Sequence, residues 1–340
     1  MSFTISIPDA LRQSVEAASG GRQTVLYDDL NYPSIMSVIP AFNVETIDTD
    51  LGTGLHPAFI VNGVAKSELF IATFKAYVHG GRALSLPGYD PTASINFDTA
   101  RGCCTAKGAG WHMMTNWEAA ALALWCIKNG QPRGNTDYGR HHASTHESGR
   151  RQDGIAPGTA SGTARTLNGS GPASWRHDGT MSGIDGLCGN IYEWVDGMKM
   201  VNGKFYFPDD NHFTQLEASW KDQGVIIAED TGDKLGVADT DVLHAGGGVS
   251  FGAWKGLTRT AAYSALDAAI KNRFQQAMID PAFDNSSPIG NFYFNTTGEM
   301  IPIRFGSWNN AGDAGVAFLS LSSVRSYVYT TLGFRLAYIG

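Results

Sequence analysis

Glycine occurs 41 times in this 340-residue chain, so long helices cannot be its main building material. Each glycine costs a helix interior about 1 kcal/mol relative to alanine. A chain interrupted this often reads as short strands joined by turns and long ordered loops, with few helices. Hydrophobic residues make up 43%, enough for a sizeable core, while only 17% are charged. The net charge of −7 comes without a basic stripe, which argues against nucleic-acid binding. Arg150 and Arg151 are an isolated pair in a polar loop and are expected to be solvated. No run of about 18 apolar residues exists, so membrane insertion is not expected. The first residues, Met1-Ser-Phe-Thr-Ile-Ser-Ile-Pro-Asp, carry neither the charge nor the apolar stretch of a signal peptide. Cys103, Cys104, Cys126 and Cys188 lack C-x-x-C metal spacing and form a poor disulfide framework. They are expected to be free thiols.

The clearest helix spans 116–128. Thr115 can cap it, Glu118 completes a capping box, and Asn129-Gly130 followed by Pro132 stops it. A second helix is expected over 67–77. Short β-like runs occur at 3–7, 35–39, 59–61, 204–207, 224–227 and 242–244, with a turn at Asn62-Gly63. Between 134 and 179 the composition shifts to Gly, Ser, Thr, Arg and His, which predicts a long surface insertion. Helices early and short strands late give an α+β fold. Residues 1–54 read as a leader or small β subdomain, and 55–340 as one domain with insertions near 134–180 and 200–300.

Three ordered segments resemble formylglycine-generating-enzyme-like (sulfatase-modifying-factor) domains. Gly110-Trp-His-Met-Met-Thr-Asn-Trp-Glu-Ala-Ala resembles their helix start. Gly186-Leu-Cys-Gly-Asn-Ile-Tyr-Glu-Trp-Val-Asp resembles their "M-x-G-N-V-W-E-W" strand, with Gly189, Asn190, Glu193 and Trp194 in place. Gly246-Gly-Gly-Val-Ser-Phe and Gly333-Phe-Arg resemble their closing elements. The resemblance implies a C-type-lectin-like fold of the formylglycine-generating-enzyme type, with long loop insertions: a small twisted sheet, two helices and many irregular loops.

The tail, near 304–335, is similar to the variable region of diversity-generating-retroelement target proteins, which include phage tropism determinants. Gly306, Trp308, Gly312, Ala314, Gly315, Phe318, Arg325, Ser326, Gly333, Phe334 and Arg335 match its constant frame, whereas Ala311 stands where glycine is common. In such regions adenines of selected codons are rewritten. Asn codons ending in a pyrimidine cannot become Lys, Glu, Gln, Met or Trp. Between Phe305 and Leu332 none of the first four occurs, and the one Trp, Trp308, belongs to the frame.

The resemblance implies a ligand- or receptor-binding protein with a hypervariable C-terminal surface. The variable positions would be among Phe305, Ser307, Asn309, Asn310, Ala311, Asp313, Ala317, Ser320, Ser322, Ser323, Tyr327, Val328, Tyr329 and Thr331. This mixture of tyrosine, serine and asparagine is also what antibody paratopes use. The plainer alternative is an edge strand with one buried face. Trp308 is expected to be a core anchor beneath. The implied partner is a protein or glycan receptor on a host or neighbouring cell, the implied carrier a virion tail or surface or an exported cell-surface protein, and the chain could form a homo-oligomer.

No cofactor is expected. Asn190 and Glu193 suit either calcium or a structural role, and the structural role is favoured. Trp308-Asn309-Asn310 superficially matches a calcium-lectin motif, but Gln131-Pro132-Arg133 places a cation where its partner motif needs an amide or carboxylate. His141, His142, His146 and Glu147, with Asp137 or Asp153 nearby, lack ligand spacing and are expected to be solvated loop residues. The enzymatic relatives need cysteines late in the fold, and none follows Cys188. A metal-dependent oxidoreductase on the same scaffold, recruiting His56 and His112, is the alternative function.

Overall fold

The computed structural model describes residues 9–230, 232–283 and 288–340, so the β-like run at 3–7 lies outside them. The architecture is α+β. A five-stranded antiparallel sheet runs in the order Gln23–Tyr27, Pro33–Pro40, Glu68–Ala72, Leu336–Tyr338, Trp111–Met113. Residues 1–54, set apart in the sequence, thus contribute two strands to the sheet that contains the C-terminal strand. A larger sheet is built mainly from strands after residue 190. Its middle pairs Asn291–Asn295 with Leu319–Ser323, then Glu299–Arg304, then Lys199–Val201.

The helix Asn116–Asn129 forms where its capping box places it, with Thr115 and Glu118 satisfying each other's backbone N–H groups. From Asn116 to Ile127 every residue except Trp125 is buried. Four alanines, Ala119, Ala120, Ala121 and Ala123, let neighbouring elements approach it from all sides. At its N-terminus the buried Arg304 donates to Asn116 Oδ1 (2.6 Å) and to the carbonyls of Ala277 and Met278. Burial lowers the Arg304 pKa to about 9.

The segment 67–77 is not the expected helix. It forms the strand Glu68–Ala72, followed by the hairpin strands Tyr77–His79 and Arg82–Leu84. Leu69 and Ile71 face inward and Glu68 outward, a period of two rather than 3.6.

The polar stretch 134–179 is not a solvated insertion either. Asn135, Thr136, Arg151, Thr166, Asn168 and Arg176 are buried. Arg151 pairs with Asp153 and donates to the carbonyls of Tyr138, Thr159 and Ser161. Side-chain-to-backbone hydrogen bonds replace apolar contact here, which hydropathy does not register. Arg150 alone of the Arg150-Arg151 pair is exposed.

The two motifs that carry the family resemblance meet in space. Strand Leu332–Phe334 runs parallel to Tyr192–Trp194, with Leu332 opposite Tyr192, Gly333 opposite Glu193 and Phe334 opposite Trp194. Arg335 then grips Glu193 through two hydrogen bonds, of 2.9 and 2.8 Å. Lys75 pairs with the same carboxylate and donates to the Ile191 carbonyl at 3.0 Å. All three side chains are at most 1% exposed. Burial works to raise the Glu193 pKa, but the two cations outweigh it and hold Glu193 below the ordinary carboxylate range.

Breaking a buried ion pair by removing one partner typically costs 3–5 kcal/mol, because a charge is left without compensation. Glu193→Gln leaves two buried cations facing each other and should lower the unfolding free energy by about that amount in urea titrations. A loss below about 1 kcal/mol would mean that the cluster is solvated.

A second expectation concerns pH. Burial works to lower the His112 pKa, but Glu118, 2.8 Å away, outweighs it and raises it. The stabilisation is therefore full below the unfolded value of about 6.5 and is lost as pH rises through the raised folded value. His56, buried and lowered to about 4 by desolvation, acts with the opposite sign on the acid side. Compared with wild type, His112→Gln should flatten the decline in stability as pH rises above about 6.5. Parallel curves for the two proteins would sink this assignment.

Candidate functional site

The strand Leu319–Ser323 alternates across the sheet. Leu319 and Leu321 enter the main core, while Ser320 and Ser322 point the other way and share a hydrogen bond of 2.8 Å. On that opposite side a cavity of about 330 Å³ opens. Its deeper walls are Phe318, Ile303 and Leu332 with the half-buried Tyr192 and Tyr293. Tyr192 and Tyr293 flank Phe318 at ring-centroid distances of 5.4 and 5.5 Å. At the mouth stand Ser322 and the exposed pair Tyr327 and Tyr329, stacked 6.0 Å apart with planes 22° from parallel. Asn310 and Ser323 complete the lining. Burial raises the Tyr192 pKa, so its phenol stays neutral.

The loop bearing the tyrosines is held by its backbone. Ser94 and Phe97 donate their N–H groups to the carbonyls of Tyr329 and Arg325, at 3.0 and 3.2 Å. Tyr192 N–H donates to the Thr331 carbonyl at 2.7 Å, and Arg165 reaches the Thr330 carbonyl. Arg325 is paired with Asp98, Glu217 and Glu299, which come from three separate elements. Meanwhile Tyr327, Val328 and Tyr329 are 42–52% exposed.

A neighbouring turn is fixed in the same manner. Asn310 Oδ1 accepts from the N–H (2.7 Å) and hydroxyl (2.9 Å) of Ser307, and Ala311 N–H donates to the Thr136 carbonyl. Asp313, exposed on this turn, accepts from the Tyr293 hydroxyl at 3.3 Å. Ala311 sits at φ 48°, in the left-handed region that favours glycine.

Of the fourteen residues expected on a variable face, Asn310, Ser320, Ser322, Ser323, Tyr327 and Tyr329 line this one cavity. Asn309, Ala311, Asp313 and Val328 are exposed. Phe305, Ser307, Ala317 and Thr331 are buried and do not line it, which corrects the expectation for these four. Phe305 at φ 74° joins the main core, Ser307 serves the turn, and Ala317 packs in the main core. Ser320 and Ser323 keep only 7% and 8% exposure, so they form wall rather than open surface.

Tyr192 and Tyr293 were not among the expected site residues. Each is flanked in the chain by buried residues, Ile191 and Glu193 for one, Phe292 and Phe294 for the other. Strand alternation in Asn291-Phe-Tyr-Phe-Asn was the signal available for Tyr293.

The other candidates have structural employment. Trp308 is buried against Ile191 and Ala164. Asn190, at φ 67°, clamps Thr166 through both side-chain atoms. Glu147 is buried rather than solvated: its hydrogen bonds with Arg133 hold its pKa at about 2, and Trp175 Nε1 donates to it as well. His141 is also buried, and its Nδ1 accepts from Ser144 N–H, whereas His142 and His146 are exposed. Asp137 pairs with Arg140. His56 Nδ1 accepts from Ala58 N–H, and its Nε2 lies 3.1 Å from the Gln276 carbonyl. The four cysteines are free and buried, and burial pushes the Cys188 thiol up to about 12.

No protein-family profile matches the chain, and no curated protein matches it. Among solved structures, PvdO from Pseudomonas aeruginosa is similar over 93% of this chain and 97% of its own, at 12% identity and a TM-score of 0.36.

The geometry separates side chains that build the fold from side chains that only face outward. Replacing Tyr327 and Tyr329 together by Ser should leave the melting temperature nearly unchanged, since exposed substitutions typically cost within about 0.5 kcal/mol. Phe305→Ala should cost roughly 3–5 kcal/mol. Unfolding of the double tyrosine variant in a thermal melt would show that the pair belongs to the core.

Proposed function

We propose that this chain is a ligand- or receptor-binding protein that displays a hypervariable C-terminal surface diversified by a retroelement. The scaffold would be a C-type-lectin-like fold of the formylglycine-generating-enzyme type. One observation carries the reading: within the tail, backbone and side chains have different jobs. The backbone of the 324–332 loop is held by hydrogen bonds from Ser94, Phe97, Arg165 and Tyr192 and by the Arg325 ion pairs. The tyrosines and Val328 that it carries are exposed. A surface meant to change its sequence without changing its shape requires that division.

Two further features support it. Frame positions are where backbones crowd: a Cβ on Gly306 would come within 2.6 Å of Ala314, and one on Gly333 within 2.3 Å of the Thr92 carbonyl. The small sheet and the helices Phe97–Thr105 and Asn116–Asn129, with long irregular loops, are also the parts that such a fold would have. In this reading the partner is a protein or glycan on a host or neighbouring cell, the carrier is a virion or an exported surface protein, and the chain performs no catalytic step.

Randomising Asn309, Asp313, Ser322, Tyr327, Val328 and Tyr329 in a surface-displayed library tests the reading. Ala311 is left fixed because most side chains are strained at its positive φ. Most clones should keep wild-type heat resistance, and selection should yield binders to unrelated immobilised proteins. A matched library at Phe305, Ser307, Ala317 and Thr331 should be largely unfolded. If the first library is as unfolded as the second, the surface does not tolerate diversity and the proposal fails.

A further inference from the structure

The chemistry of the cavity beneath Tyr327 and Tyr329 narrows the ligand. None of its lining residues is charged. An ionised ligand entering it would lose hydration without finding a counter-charge in the lining. Five side chains are aromatic: Tyr192, Tyr293, Phe318, Tyr327 and Tyr329. Aromatic side chains of this kind offer large apolar contact area to a guest.

The remaining polar groups are short neutral donors and acceptors. Ser320 and Ser322 share one hydrogen bond, so their hydroxyls keep further capacity. Asn310, also in the lining, has committed its carbonyl oxygen to Ser307, and its amide nitrogen carries two donors of its own. A purely apolar guest would cover these groups and leave them unpaired, which weakens binding. A quaternary ammonium could use the aromatic faces but would gain nothing from the hydroxyls. The volume of about 330 Å³ is near the lower end of small-molecule sites, so the guest is a single ring or its equivalent.

A guest that satisfies all of these terms is uncharged, one ring in size, apolar on its faces and hydroxylated around its edge. We propose that this cavity binds one neutral pyranose ring at the exposed end of a glycan, without a metal ion. The proposal rests on the reading that this surface recognises a ligand, and it specifies the class. Tyr327 and Tyr329 pack against the C–H face of the ring, and the serine hydroxyls and Asn310 exchange hydrogen bonds with its hydroxyls. Since no carboxylate lines the cavity, the binding needs no calcium.

The test uses the full chain and two probe sets. Methyl glycosides of neutral hexoses and N-acetylhexosamines are titrated singly by saturation-transfer NMR, with and without EDTA, beside the methyl glycoside of sialic acid as the charged control. A phage-displayed random-peptide library is panned in parallel. At least one neutral glycoside should bind equally with and without EDTA, and the sialic acid glycoside should not. Tyr327→Ala/Tyr329→Ala should abolish that signal, and Ser322→Ala should weaken it several-fold with an unchanged thermal melt. Absence of neutral-glycoside binding, binding that needs calcium, equal binding of the acidic sugar, or a signal indifferent to the tyrosines each overturns the inference. Peptide binding that requires the tyrosines, without any glycoside binding, would reject the carbohydrate and keep the recognition surface. No tyrosine-dependent binding to either probe set would reject both.

Discussion

Much of this structure depends on one buried carboxylate. Glu193 lies between Arg335 and Lys75 with all three side chains out of water. Such a cluster is a poor source of net stability, because desolvation consumes most of the attraction. Its value is positional. Only one register lets Arg335 reach Glu193, and that register sets Leu332 opposite Tyr192. Because strand side chains alternate, a carboxylate on one face of the strand obliges Tyr192 to lie on the other. Leu332 and Tyr192 both line the cavity beneath Tyr327 and Tyr329. The interior charge cluster and the composition of the outer pocket are thus two sides of the same pair of strands.

The polar interior extends this logic. Around 134–179 the chain has few apolar residues, yet it is packed through Arg151, Asn135, Asn168 and their backbone partners. This region supports the tail directly: the Tyr138 N–H donates to the Trp308 carbonyl, and the Thr136 carbonyl receives Ala311 N–H. A platform knitted by directional bonds resists slippage better than an oily one, since each bond has one geometry that satisfies it. That rigidity is what a loop with outward-facing aromatic side chains requires beneath it.

Legibility in the sequence followed the range of the interactions involved. The helix Asn116–Asn129 was readable because its start signal, Thr115 with Glu118, is local. The Asn62-Gly63 turn was readable for the same reason, and both residues take positive φ. The strand Glu68–Ala72 was misread as helix, because a short apolar run shows little periodicity until its partners are known. In the tail the buried anchor Trp308 was legible, but the outward-facing residues were not legible one by one. Phe305 looked like a contact residue, and its positive φ takes it into the core instead. Tyr192 and Tyr293 reach the cavity from strands distant in sequence, a convergence that only the fold creates.

The strand Leu336–Tyr338 lies between Glu68–Ala72 and Trp111–Met113, inside the first sheet rather than at its edge. Everything made before it must wait, with a gap in that sheet, until the segment beyond Arg335 has been synthesised. A copy that stops or changes reading frame anywhere in the tail lacks both this strand and the arginine that neutralises Glu193. It cannot present a damaged cavity on a sound body, because the body does not close. Placing a cavity-lining segment ahead of an indispensable strand makes folding itself the inspector of that segment.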